Sequence, residues 1–218
     1  MVANSPVASR AIFCYDYCMQ QILLVHGGDN WETHEEYLAY LKNKQIDFEK
    51  HGLRVKGWQD NLADRLGTDY QIIRPEMPSK RNAKYIEWKI WFEKFISYLN
   101  DGVILIGGSL GALFLAKYLS ENDFPKKIKA VFLLAGPAKD NLPEYRLLDF
   151  SLPESLEKLS SQADKIFLYH SKDDNMVPFS DLEIYRKALP KATVRVLDGF
   201  GHFNLPELPV IIEDIKSL

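Results

Sequence analysis

The sequence predicts an α/β fold: one domain built on a doubly wound, mostly parallel, six-stranded sheet with helices on both faces. Three observations carry that prediction. Short runs of branched and aromatic residues recur six times, at Gln21–His26, Tyr70–Arg74, Val103–Ile106, Lys129–Leu134, Lys165–His170 and Ala192–Leu197. The third of them, Val103–Ile106, is a short branched apolar run bounded by glycine, which fits a strand buried on both faces. Helical patterns separate most of these runs, and strand–helix alternation implies right-handed crossovers joining parallel strands.

The elements follow in chain order. Residues 1–18 read as an extension outside the core, because Met19 stands immediately before the first strand pattern. The extension lacks the clean apolar stretch and cleavage site of a secretory signal. Its cysteines, Cys14 and Cys18, have no second Cys/His pair to complete a zinc site, so free thiols in a reducing cytoplasm are expected. After the first strand, residues 29–56 form an inserted helical segment. Thr33-His34-Glu35-Glu36 has the form of a capping box, and Tyr37, Leu38, Tyr40 and Leu41 make an apolar stripe behind it. Gly52 marks a turn or the end of that helix. Further helices are expected around Trp58–Leu66, Ala83–Leu99, Leu110–Ser120, Pro153–Leu159 and Ser180–Leu189. There is no internal repeat or low-complexity linker, and 218 residues suit one domain better than two.

Composition narrows the function classes. A net charge of −3 gives no electrostatic reason to expect nucleic acid or an anionic membrane as partner. No apolar run approaches the roughly 20 residues that span a bilayer.

The chemistry is concentrated in the loops after the strands, where open α/β sheets bind ligands. After the third strand comes Gly107-Gly108-Ser109-Leu110-Gly111, followed by an apolar helix pattern. Strand, tight glycine turn with serine at its tip, then helix is the context of a nucleophile elbow. The glycines two residues either side of Ser109 are expected because a Cβ would collide where the chain reverses. The first strand leads into His26-Gly27-Gly28-Asp29, the fifth into Ser171-Lys172-Asp173-Asp174, and the sixth into Asp198-Gly199-Phe200-Gly201-His202. Nucleophile, acid and base candidates thus share one sheet edge in the order Ser, Asp, His. His202 is the candidate base that would activate Ser109, with Asp173 or Asp174 orienting its imidazole.

That order, with ILLVHGG (22–28), IGGSLG (106–111), DNMVP (174–178) and GFGHF (199–203), resembles the α/β-hydrolase superfamily over nearly the whole chain. PEMP (75–78) with the later Trp88 resembles the small, lidless serine hydrolases of the retinoblastoma-binding protein 9 type. The resemblance implies an α/β-hydrolase fold with a minimal lid, Lys139–Ser161 being short and rich in proline and charge. It places the triad acid at Asp174, four residues before Pro178. It also implies an oxyanion hole made by the backbone N–H of Leu110 and that of Gly28, with Asp29 as the alternative. His26 is expected to brace this loop, and His34, His51 and His170 to be structural or surface residues.

Two departures stand out. Many members of that group carry histidine immediately before the nucleophile, where this chain has Gly108. The segment Asp29–Lys56 is also longer than the usual connection. Because it starts beside the oxyanion loop it is expected either to roof the pocket, with Trp31, Tyr37 and Tyr40 as substrate-binding wall residues, or to pack into the core.

The resulting expectation is a cytoplasmic serine hydrolase without metal or other cofactor. It would act on a small carboxylic ester, thioester or amide through an acyl-enzyme. The main alternative is a catalytically silent hydrolase-fold protein that binds a small ligand or a protein. A lyase or cofactor-free haloperoxidase on the same residues is a third reading. A dinucleotide site is excluded because the loop after the first strand reads HGGDNW rather than G-x-G-x-x-G.

Overall fold

In the computed structural model the described residues are 19–48, 53, 56–140 and 146–218. The expected extension 1–18 with Cys14 and Cys18, and also His51 and Gly52, lie outside them.

All six expected strands form: β1 (Gln20–Val25), β2 (Tyr70–Ile73), β3 (Val103–Gly108), β4 (Ile128–Leu134), β5 (Ala163–Ser171) and β6 (Thr193–Leu197). They make one sheet in the order β2-β1-β3-β4-β5-β6, and every pairing is parallel. The pleat divides the central strands between two cores. Leu23, Val25, Val103, Leu105, Val131 and Leu133 point to one side. Ile22, Leu24, Ile104, Ile106, Phe132 and Leu134 point to the other. This is why these strands read as continuous apolar runs rather than alternating ones.

Seven helices form among the described residues: α1 (His34–Asn43), α2 (Trp58–Leu66), α3 (Tyr85–Ile96), α4 (Leu110–Glu121), α5 (Glu157–Gln162), α6 (Ser180–Ala188) and α7 (Pro209–Lys216). Helices α3 to α6 pack on the first core. Helices α2 and α7 pack on the second through Trp58, Leu62, Leu66, Ile211 and Ile215.

Two helix boundaries and one whole helix depart from expectation. Helix α3 starts at Tyr85, not Ala83, because the Ala83 N–H is taken by the carbonyl of Asp29 (2.8 Å) and Lys84 is extended. The helix expected at Pro153–Leu159 lies at Glu157–Gln162, started by the Ser155 hydroxyl accepting from the Glu157 N–H at 3.2 Å. Helix α7 was not expected, although Pro209 at its first turn and Ile211/Ile215 at i,i+4 are its sequence signature.

Candidate active site

Beyond β1 the chain turns back to β2 on one side, and β3 lies on the other. The loops after β1 and β3 therefore leave a crevice at a switch point of strand order, where such sheets bind ligands. Ser109 occupies that point. Its backbone has φ 53° and ψ −124°, conformational strain that a residue other than glycine adopts only when its surroundings impose it. They do so here. The Ser109 N–H donates to the Leu134 carbonyl (2.8 Å), while its own carbonyl accepts from Ala112 (2.9 Å) and Leu113 (3.2 Å), starting α4. The flanking glycines are required as expected. A Cβ at residue 107 would lie 2.7 Å from the Ala112 Cα, and one at residue 111 would lie 2.6 Å from the His26 carbonyl oxygen. A Cβ at Gly108, by contrast, would meet only the Gln59 Nε2 at 3.5 Å, an ordinary contact.

The loop after β1 is clamped by the loop after β2. The Asp29 N–H donates to the Lys80 carbonyl and the Ala83 N–H returns a bond to Asp29, each at 2.8 Å. Gly28 sits beneath this clamp, where a Cβ would lie 2.6 Å from the Lys80 oxygen and 3.1 Å from the Trp88 ring. Trp88 is fully buried, donates its indole N–H to the Pro78 carbonyl (2.8 Å) and meets the His26 ring edge-on. The proline-rich loop and the tryptophan are therefore supports of the loop after β1.

His26 braces it from the other direction. Its Nδ1 pairs with the Gly27 carbonyl (2.6 Å), and its Nε2 accepts from the Met77 N–H (2.9 Å). Those partners require the neutral ring with the proton on Nδ1. Burial lowers its pKa, partly countered by the Gly27 bond and reinforced by the positive charge of Lys80.

Of the two candidate oxyanion donors at this loop, the Asp29 N–H is already engaged by Lys80. The Gly28 and Leu110 N–H groups have no hydrogen-bond partner among the described residues. The dipole of α4 favours negative charge at its N-terminus, which begins at Leu110.

The two adjacent aspartates are separated by geometry. His202 Nδ1 lies 2.8 Å from Asp174 Oδ2 and 3.1 Å from Oδ1. Oδ1 also accepts from the Met176 and Val177 N–H groups at 2.9 and 3.0 Å. Burial raises the pKa of this carboxyl, but the His202 bond and charge and the two backbone donors outweigh it, leaving it below its ordinary value. Asp173 is exposed and accepts from Ser171, Gly199 and Gly201 instead, tying the β5 loop to the loop that carries His202. Buried His170 pairs through Nε2 with the Val177 carbonyl (3.0 Å), bracing the loop that carries Asp174.

With Nδ1 held by Asp174, the second nitrogen of His202 is left as an acceptor. The Ser109 hydroxyl has no hydrogen-bond partner among the described residues; in unliganded sites catalytic hydrogen bonds are often long or poorly aligned and tighten on binding.

Ser109, Gly28 and His202 share one cavity of about 490 Å³. Tyr40 reaches it from α1, so the inserted segment does form part of the wall. Trp31 and Tyr37 do not line it. Trp31 stacks behind Tyr40 (4.6 Å between ring centroids), and Tyr37 faces His34. Nor does α1 pack into the core, since it buries no residue.

The sequence reading missed Lys44, Gln59, Lys80, Arg81, Met176 and Asn204, all of which line the cavity. The available signal was positional: Lys80 and Arg81 follow a strand's carboxyl end as surely as Ser109 does.

Residues 51–207 match the model of a family described as serine hydrolase, and the chain belongs to that family. Among solved structures, it is similar to the ydeN gene product from B. subtilis, at 21% identity over 91% of this chain and 98% of that one, with a TM-score of 0.67. It is also similar to a predicted CIB-like hydrolase from Thermoplasma acidophilum, at 13% identity over 93% and 89%, TM-score 0.60. A third is Est1E from Butyrivibrio proteoclasticus, at 13% identity over 91% and 86%, TM-score 0.55. These likenesses show the α/β-hydrolase fold. No curated protein matches the chain. No helix among the described residues is long and apolar enough to cross a membrane.

Proposed function

We propose that the protein hydrolyses a small carboxylic ester, thioester or amide through an acyl-enzyme, with Ser109 as nucleophile, His202 as general base and acid, and Asp174 as its orienting carboxylate. The observation that carries this reading is the His202–Asp174 pair at 2.8 Å beside a strained serine in the same cavity. His202 would take the hydroxyl proton as Ser109 Oγ bonds to the carbonyl carbon. The oxygen would become an oxyanion facing the Gly28 and Leu110 N–H groups. As the intermediate collapses, the bond to the leaving group breaks and His202 returns its proton to that group. Water then adds by the same route, releasing the acid and restoring Ser109. Esters demand the least help for the leaving group, so they are the first class to assay.

Fluorophosphonate labelling tests the assignment. A phosphonyl adduct mapped to Ser109 and absent from Ser109→Ala is the expected result. A folded wild type that takes no label would favour the silent, ligand-binding alternative.

A further inference from the structure

The protein as a whole is acidic, at −3, yet the cavity is lined by three cations, Lys44, Lys80 and Arg81, against one carboxylate, Asp29, among the described lining residues. Only Arg81 is paired with that carboxylate, at 3.2 Å. Lys44 and Lys80 have no ion-pair partner among the described residues.

The cations form a single wall rather than a scatter. Lys80 and Arg81 belong to the loop clamped onto Asp29. The Arg81 carbonyl accepts the indole N–H of Trp31 (3.1 Å), Trp31 stacks on Tyr40, and the Lys44 ammonium lies 5.3 Å from the centre of the Tyr40 ring. Two elements distant in sequence thus bring positive charge to one place. In a concave site such a field is focused and attracts an anion.

The side of the site is set by the sheet. Lys80 and Arg81 follow β2, and Lys44 follows α1 in the β1–β2 connection. His202 follows β6, and its partner Asp174 follows β5. With the order β2-β1-β3-β4-β5-β6, the cations and His202 lie on opposite sides of Ser109, which follows β3. A leaving group must lie against His202, which protonates it. The group facing the cations is therefore the acyl portion.

We infer that the substrate's acyl portion carries an anionic substituent, such as the free carboxylate of a dicarboxylic acid half-ester, held by Lys44 and Lys80. This rests on the hydrolase reading above.

The test compares kcat/KM for mono-4-nitrophenyl glutarate and for 4-nitrophenyl pentanoate, a neutral acyl chain of the same length. Two cations at roughly 5 Å in a water-like dielectric give about a ten-fold preference for the glutarate ester at low ionic strength, disappearing near 1 M salt. The ratio should fall toward unity in Lys44→Gln/Lys80→Gln, and because it is taken within each variant, any general loss of activity cancels. Equal turnover of both esters by a wild type whose Ser109 takes the fluorophosphonate overturns the anionic acyl group and leaves the hydrolase intact. If Ser109 takes no label, the hydrolase reading fails, and glutarate itself then decides on the anion wall. A thermal shift with glutarate that is lost in the double variant supports the wall, and no shift in the wild type ends it.

Discussion

Asp173 and Asp174 are chemically identical neighbours given different work by one peptide bond's change of direction. Asp174 points inward to His202, and Asp173 outward to the backbone donors of Gly199 and Gly201. Asp174→Asn keeps the shape but lets His202 adopt the wrong tautomer, so kcat on 4-nitrophenyl butyrate should fall by roughly 10³–10⁴-fold. Asp173→Asn retains an oxygen for the Gly199 and Gly201 donors and should lose less than about ten-fold. A loss in Asp173→Asn as large as in Asp174→Asn would reverse the two roles. This pair also marks how far residue-level reading reaches. That Ser109, Asp174 and His202 gather at one edge of the sheet was legible because each sits in a short pattern tied to a strand end. Gln59, Lys44 and Lys80 were not, because nothing local to them announces the cavity. Lys80 and Lys44 are brought there by the Asp29–Lys80 clamp and by the bond from Trp31 to the Arg81 carbonyl, contacts between segments far apart in the chain, and Gln59 reaches the cavity from the first turn of α2.

Helix α1 shows the same division at the scale of an element. Its start was legible and forms as read: the Thr33 hydroxyl accepts from the Glu36 N–H at 3.1 Å, and the Glu36 carboxylate accepts from the Thr33 N–H. Its packing was not. The stripe of Tyr37, Leu38, Tyr40 and Leu41 suggested a covered face, yet Leu38 is 40% and Leu41 48% exposed. A 3.6-residue period shows which face is apolar, not whether anything covers it. The helix is held instead by its cap, by Arg146 bridging Glu32 and Glu36, and by Tyr40 on Trp31. Losing the cap in Thr33→Ala should cost the helix about 1 kcal/mol. Because α1 contributes nothing to either core, the global Tm should fall by less than about 2 °C. Amides of residues 37–43 should exchange faster with deuterium, and KM should change more than kcat, since Tyr40 is in the wall rather than at the reacting atoms. A Tm drop of several degrees would mean that α1 is part of the cooperative core after all.

Across the whole molecule, the edge of the sheet far from β2 is secured by one polar cluster. Asp214, on α7, accepts two bonds from Arg195 of β6 (2.9 and 2.7 Å) and one from the hydroxyl of buried Tyr169 of β5. The Arg195 bond holds the Asp214 carboxyl below its ordinary range despite burial, with Tyr169 assisting. Asp174 is lowered as well. For both groups the folded-state pKa lies below the unfolded value of about 3.9. Their contribution to stability is therefore complete above that unfolded value, and is lost as pH falls through the lower, folded one. The wild type should hold a nearly constant Tm from about pH 7 down to pH 5 as far as these groups decide it, then lose stability steeply below about pH 4. In Asp214→Asn the charge facing Arg195 is gone, which should cost about 2 kcal/mol at pH 7. The variant no longer has that carboxylate to protonate, so its fall between pH 5 and pH 2 should be shallower than the wild type's. Urea unfolding at pH 7 and pH 3 measures both effects. Parallel pH curves, with the deficit of Asp214→Asn unchanged at pH 3, would show that the Arg195–Asp214 pair acts through shape rather than charge.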